Sequence, residues 1–300
     1  ANIGWIFVTC NFTDPATLGW IASDKKDYST NTADRGTTST GSADITAIYY
    51  AQELSGYKFA GWYSDDACKI KVDDGDATDR NKYTETITTS ATVEPYPTIT
   101  RYAKFDAVTV SAAAAQTVNF TTSGTQTATL TFAVTNADNN DDFNAPVVSG
   151  DAGWTISNWS YANNVVTVNL SFTATENTTT MGNHIATVTL TAKSNNSATG
   201  QVTATVNMTP AYTCNINGEY YVEAENNSLD LQTLWTSSSK GTITYEIVNF
   251  TAAGGAQDGA TAPAISDNRY LSLGQAGTLV LKLTQAEGTS SVAGTASKTV

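Results

Sequence analysis

The stretch TATLTFAV at residues 127–134 decides the fold. Ala128, Leu130, Phe132 and Val134 alternate with Thr127, Thr129, Thr131 and Ala133, a period of two that places apolar side chains on one face of a strand and the three threonine hydroxyls on the other. Three further stretches repeat the pattern: VVTVNLSF at 165–172, IATVTLTA at 185–192 and QVTATVNM at 201–208. Turn-forming runs such as Ser149–Gly150–Asp151 and Ser194–Asn195–Asn196–Ser197 separate them. About seven short strands in about 100 residues predict an immunoglobulin-like sandwich here.

Outward from that centre the composition stays β-like. Thr occurs 52 times and Leu 13 times in 300 residues, so residues suited to a pleated sheet outnumber the main helix-building aliphatic. The expected class is all-β and mainly antiparallel. Hydrophobic residues at 40% suffice for real cores, and charged residues at 14% leave a surface of Thr, Ser and Asn. With 28 Asp+Glu against 15 Lys+Arg, the net charge of −13 argues against nucleic acid, whose phosphates need clustered Lys and Arg. No apolar run approaches the ~20 residues of a membrane span, so no direct span is expected in this segment. The chain opens at Ala1 without a leader pattern and stops at Val300, which suggests a piece of a longer array.

The charges divide the chain into three stretches. Residues 1–105 hold 10 bases and 14 acids (−4), residues 106–209 one Lys and 6 acids (−5), and residues 210–300 4 bases and 8 acids (−4). In the first stretch, 45–54 (ITAIYYAQEL) reads either as a helix capped by Ser42 or as a strand, and its β-branched and aromatic content favours the strand. GYKFAGWYSDDACKIKV at 56–72 and TITRYAKF at 98–105 resemble the Listeria–Bacteroides repeat, related to the internalin B-repeat. That resemblance implies a β-grasp-like module of a bacterial surface protein. The second stretch resembles, in pattern only, bacterial sandwiches of the ASH and BACON kind. In the third, LDLQTLW, TYEIV and GQAGTLVLKLTQA resemble the Ig-like repeats of giant Bacteroides-type surface proteins, which implies a second sandwich. The expected architecture is a β-grasp-like module (1–105) followed by two immunoglobulin-like sandwiches (106–209 and 210–300).

Chemistry-bearing constellations are sparse. His184 is the one imidazole, which removes most neutral-pH base catalysis and most nitrogen metal ligands, and it reads as a strand-edge residue. Cys10, Cys68 and Cys214 lie far apart, with no C-x-x-C pair; they read as buried thiols, with a Cys10–Cys68 disulfide the other reading. Asp73, Asp74, Asp76 and Asp79 around Gly75 offer oxygens in a loose calcium-like spacing, against the reading of a polar turn. Asp65, Asp66, Asp138, Asp141 and Asp142 also sit in loops, where solvated turn formers outnumber catalytic pairs. Trp154, Trp159 and Tyr161 fall within eight residues, and shared parity would turn Trp159 and Tyr161 to solvent as a sugar-stacking platform; the competing reading is core. No cofactor and no catalysis are expected. The sequence points to a non-catalytic stalk or adhesin-like spacer of a secreted or cell-surface bacterial protein, meeting a host glycan or protein, with a glycan-binding module set as the alternative.

Overall fold

The computed structural model describes residues 4–12, 19–23, 36–38, 43–89, 98–216, 228–254 and 261–300. Strand follows strand along them, and the pairing is mainly antiparallel. The N-terminal part contains β1 (Gly4–Phe12), β2 (Gly19–Ser23), β3 (Gly36–Thr38), β4 (Ala43–Glu53), β5 (Tyr57–Tyr63), β6 (Lys71–Asp73), β7 (Tyr83–Thr89) and β8 (Thr98–Ala107). One sheet runs β3-β1-β8-β5-β6, with β1 and β8 parallel neighbours and the other pairs antiparallel. A central parallel pair between antiparallel partners is the order of a β-grasp sheet. The ambiguous 45–54 stretch is strand β4, and it joins β2 and β7 in a second sheet. Tyr49 and Ala51 of β4 are fully buried, and the Tyr49 ring lies 5.7 Å from that of Trp62 on β5. Sheet thus covers sheet here, because β-branched and aromatic residues lose rotamer freedom in a helix.

The middle of the chain contains β9 (Thr109–Val110), β10 (Gln116–Phe120), β11 (Gly124–Thr135), β12 (Val147–Gly150), β13 (Trp154–Ala162), β14 (Val165–Ala174), β15 (Gly182–Thr191) and β16 (Ser197–Val206). Two sheets result, β13-β14-β11-β9 and β10-β16-β15-β12. These are the D-E-B-A and A′-G-F-C sheets of an immunoglobulin sandwich, with the A′ strand β10 parallel to the G strand β16. The alternating residues do what their period demands: Leu130, Phe132, Val166, Val168, Leu170, Val188, Leu190, Val202 and Val206 are all 0% exposed in one core. Burying each contributes about 1.5–3 kcal/mol.

The C-terminal part contains β17 (Tyr212–Cys214), β18 (Ser228–Asp230), the single-turn helix α1 (Leu231–Leu234), β19 (Trp235–Ser237), β20 (Ile243–Ala252), β21 (Ala264–Ser266), β22 (Tyr270–Ser272), β23 (Gly277–Gln285) and β24 (Gly294–Thr299). The sheets are β17-β19, β18-β22-β21 and β20-β23-β24. Taking β18, α1 and β19 as one interrupted B strand, the set again has the A-B-E-D and C-F-G layout. Its core is built on Leu229, Leu231, Trp235, Leu271, Leu279, Leu281 and Leu283. Residues 217–227 and 255–260 of this third stretch lie outside the described residues.

Candidate functional site: seams between the sandwiches

The carboxylates, the imidazole and the aromatics singled out from sequence occupy separate places. Trp154 is 2% exposed and its Nε1 donates to His184 O at 3.1 Å. Trp159 and Tyr161 are half-buried and pack against the same core, with Tyr161 donating to Ala137 O at 2.6 Å. All three aromatics therefore face inward, because the register of β13 slips between Ile156 and Asn158. Such a bulge adds a residue and reverses the parity beyond it. Without it, inward Trp154 would leave Trp159 and Tyr161 facing out, the arrangement the sugar platform requires.

The Asp73–Asp79 loop spends its oxygens on itself. Asp73 accepts from Gly75 N at 2.7 Å, Asp76 accepts from Thr78 N and Thr78 Oγ1, Asp74 pairs with Lys71, and Asp79 lies 3.4 Å from Lys82 Nζ. The Thr78 hydroxyl and amide hold the Asp76 carboxyl below its ordinary value. Among the described residues, no three His, Cys, Asp or Glu side chains assemble a metal site. Cys68 and Cys214 are half-buried free thiols, and the side chain of Cys10 lies outside the described residues. His184 is more than a strand residue: its side chain is 12% exposed, with Nδ1 2.8 Å from Asp151 Oδ2 and Nε2 2.8 Å from Thr180 O. Burial pushes the Asp151 carboxyl up, but the Gly153 N–H and His184 outweigh it and leave it below its ordinary value.

The dense polar chemistry lies where one group of sheets meets the next. At the first seam the β4–β5 turn meets the β11–β12 loop. Asn139 caps a 3-10 turn at Asn140–Asp142 in a capping box, which aims the Asp142 carboxylate back at the chain. Asp142 is 8% exposed; Oδ1 accepts from Gly56 N at 2.7 Å, and Oδ2 accepts from Asp138 N at 2.8 Å and Asn139 N at 3.3 Å. Val108 N returns a bond to Gly56 O at 2.8 Å, and Ser194 Oγ donates to Val108 O at 2.6 Å. Gly56 has φ +88°, and a Cβ there would stand 2.5 Å from Ser194 N, so only glycine allows the approach. Lys58 pairs with Asp138 at the rim. Behind them, burial is the main cause that raises the Glu53 carboxyl above its ordinary value, with Asp138 adding to it.

The second seam is bonded through main chain. Met208, 1% exposed, donates to Ser290 O and accepts from Val292 N, both at 2.9 Å, forming a parallel bridge opposite Ser291. Met181 N donates to Thr289 O at 2.6 Å, Asn177 Nδ2 to Ser238 O at 2.9 Å, and Ser290 Oγ to Thr179 O. Ser239, Ser290 and Ser291 are buried, and Ser291 Oγ donates to Ser239 Oγ at 2.6 Å. The bonds that cross the two seams join residues 52 or more apart and leave no local signal.

No protein-family model matches the chain. No curated protein matches it either. Among solved structures, a protocadherin gamma C5 fragment, EC1-3, aligns over 98% of this chain and 99% of that one at 8% identity, with a TM-score of 0.32. Mouse protocadherin gamma C3 EC1-3 aligns over 98% and 97% at 7% identity and 0.32. The major pilin subunit of Bacillus cereus aligns over 95% and 88% at 10% identity and 0.22. Scores this low leave the fold to rest on the sheet order given above, and the bacterial repeat families named from sequence motifs rest on those motifs alone.

Proposed function

We propose that the chain is a non-catalytic spacer: three β units, 1–105, 106–209 and 210–300, in tandem within a secreted or cell-surface bacterial protein, acting as an adhesin-like stalk. The observation that carries the reading is the pair of seams. Buried hydrogen bonds at Asp142–Gly56 and Met208–Ser290 fix the angle between successive units, where a hinge would leave those groups to water. A spacer with fixed joints keeps its reach.

Small-angle X-ray scattering tests the reading. A single compact 300-residue domain has a radius of gyration of about 19 Å. The spacer requires a value well above that and a pair-distance distribution with a long tail; a value at the compact limit removes it.

A further inference from the structure

His184 is the one imidazole of the chain, and both of its ring nitrogens face acceptors. Nδ1 lies 2.8 Å from Asp151 Oδ2 in the β12–β13 turn, and Nε2 lies 2.8 Å from Thr180 O in the β14–β15 loop. Burial raises the Asp151 carboxyl, but the Gly153 N–H and His184 outweigh it, so this oxygen has no proton to give at neutral pH. Neither has a main-chain carbonyl. Both contacts are therefore hydrogen bonds only when the ring carries two protons. The ring is held in place: its side chain is 12% exposed, and its centroid lies 5.2 Å from that of Phe172, which packs 5.4 Å from Trp154. On β16, Ala204 stands opposite. Asp151 is the one charged partner of the ring among the described residues. The other charged side chains of the surrounding loops are Glu176 beside Asn177, and Lys240 and Glu287 in the C-terminal unit.

The loop that receives Nε2 is the loop that forms the second seam. Thr180 stands between Thr179, whose carbonyl accepts from Ser290 Oγ, and Met181, whose N–H donates to Thr289 O at 2.6 Å. Asn177 of the same loop donates to Ser238 O. Taking one proton from the ring leaves a single N–H. Kept on Nδ1, where the carboxylate makes the stronger, charge-assisted bond, it leaves the Nε2 lone pair facing Thr180 O at 2.8 Å. Two lone pairs at that distance repel, and the carbonyl that must move belongs to the segment bonded to the C-terminal unit. We propose that His184 makes the second seam a proton-controlled joint, closed while the ring holds two protons and loosened when it holds one. What the joint does for the whole chain rests on the spacer reading; the coupling of ring to seam stands on these contacts. The closed joint binds one proton more than the loosened one, so closure strengthens as pH falls and is lost as pH rises, by at most a factor of about ten per pH unit. Imidazoles change charge between about pH 5 and 8, which sets the range.

Amide hydrogen exchange of the full chain tests the joint, because the Met181 N–H crosses it. After correction for the intrinsic pH dependence of exchange, its protection is expected to fall about tenfold between about pH 5.5 and pH 8, while that of Leu170 in the core stays level. His184→Gln, which offers the same donor at every pH, abolishes the change. Asp151→Asn removes the carboxylate and moves the change to lower pH, and it serves alone if His184→Gln does not fold. Met181 protection that stays level in the parent chain, a change that survives in folded His184→Gln, or one that keeps its midpoint in Asp151→Asn overturns the proposal. Scattering on the same samples separates the two readings. An extended particle with level protection removes the joint and keeps the spacer; a compact particle removes the spacer and leaves the exchange result to decide the coupling.

Discussion

Replacing Asp142 with asparagine tests the first seam without changing its shape. The carboxylate receives N–H groups on both oxygens, from Gly56 on one and from Asp138 and Asn139 on the other. An amide keeps one acceptor oxygen and turns an NH2 toward the remaining N–H donors, so at least one charge-assisted bond is lost and a buried donor is left opposite another donor. Hydrogen bonds to a charged group contribute about 1.5–3 kcal/mol each, and the orphaned N–H adds to the loss, giving about 2–4 kcal/mol. In a unit of about 100 residues that lowers Tm by about 10–20 °C. Differential scanning calorimetry reads the central transition, and scattering on the same sample reads whether the N-terminal unit has come loose. An unmoved transition together with an unchanged scattering curve would refute the role given to this carboxylate.

Other consequences follow from the same geometry. Gly56→Ala places a methyl 2.5 Å from Ser194 N at a positive φ, and it is expected to open the first seam to limited proteolysis while near-UV dichroism of the central core persists. Lys58→Ala removes a rim pair whose side chains are 44% and 45% exposed, so it costs less than about 1 kcal/mol, and the loss shrinks further in high salt; a large, salt-independent loss would place Lys58 deeper in the joint. Asp151 titrates below its ordinary value, so its stabilisation is present above the unfolded carboxylate value and is lost as pH falls through the depressed folded one; Asp151→Asn should flatten the acid limb of a Tm-versus-pH curve. Glu53 titrates above its ordinary value, so folding favours its protonated form, and that contribution is lost as pH rises through the raised value; Glu53→Gln should therefore raise Tm at pH 7 and leave it nearly unchanged at pH 3, while a drop at pH 7 would contradict the sign.

The central sandwich was legible from periodicity, because a half-buried strand writes its environment into every second residue. β11, β14, β15 and β16 carry alternations that coincide with their burial. Strand partners were less legible. Nothing local in Gly4–Phe12 or Gln116–Phe120 announces a parallel neighbour about 90 residues later. The aromatic platform failed on a single residue: the β13 bulge between Ile156 and Asn158 inverts the parity argument for Trp159 and Tyr161, and no residue type there demands a bulge. Asp142 read as one loop acid among many. Its distinction comes from Gly56, 86 positions away.

The two parallel pairings have a mechanical meaning. In the N-terminal unit the first strand lies beside the last, β1 against β8, in register from Phe7↔Thr98 to Phe12↔Ala103. In the central sandwich β10, close to the entry, lies beside the exit strand β16, from Gln116↔Val202 to Phe120↔Val206. Tension applied along the chain draws the entry strand one way and the exit strand the other, parallel to their shared axis. The rungs between them are then strained side by side and must give way together, whereas a hairpin pulled open from its free ends breaks one rung at a time. Both units meet a stretching force in shear, the direction in which a ladder of weak bonds resists as a block.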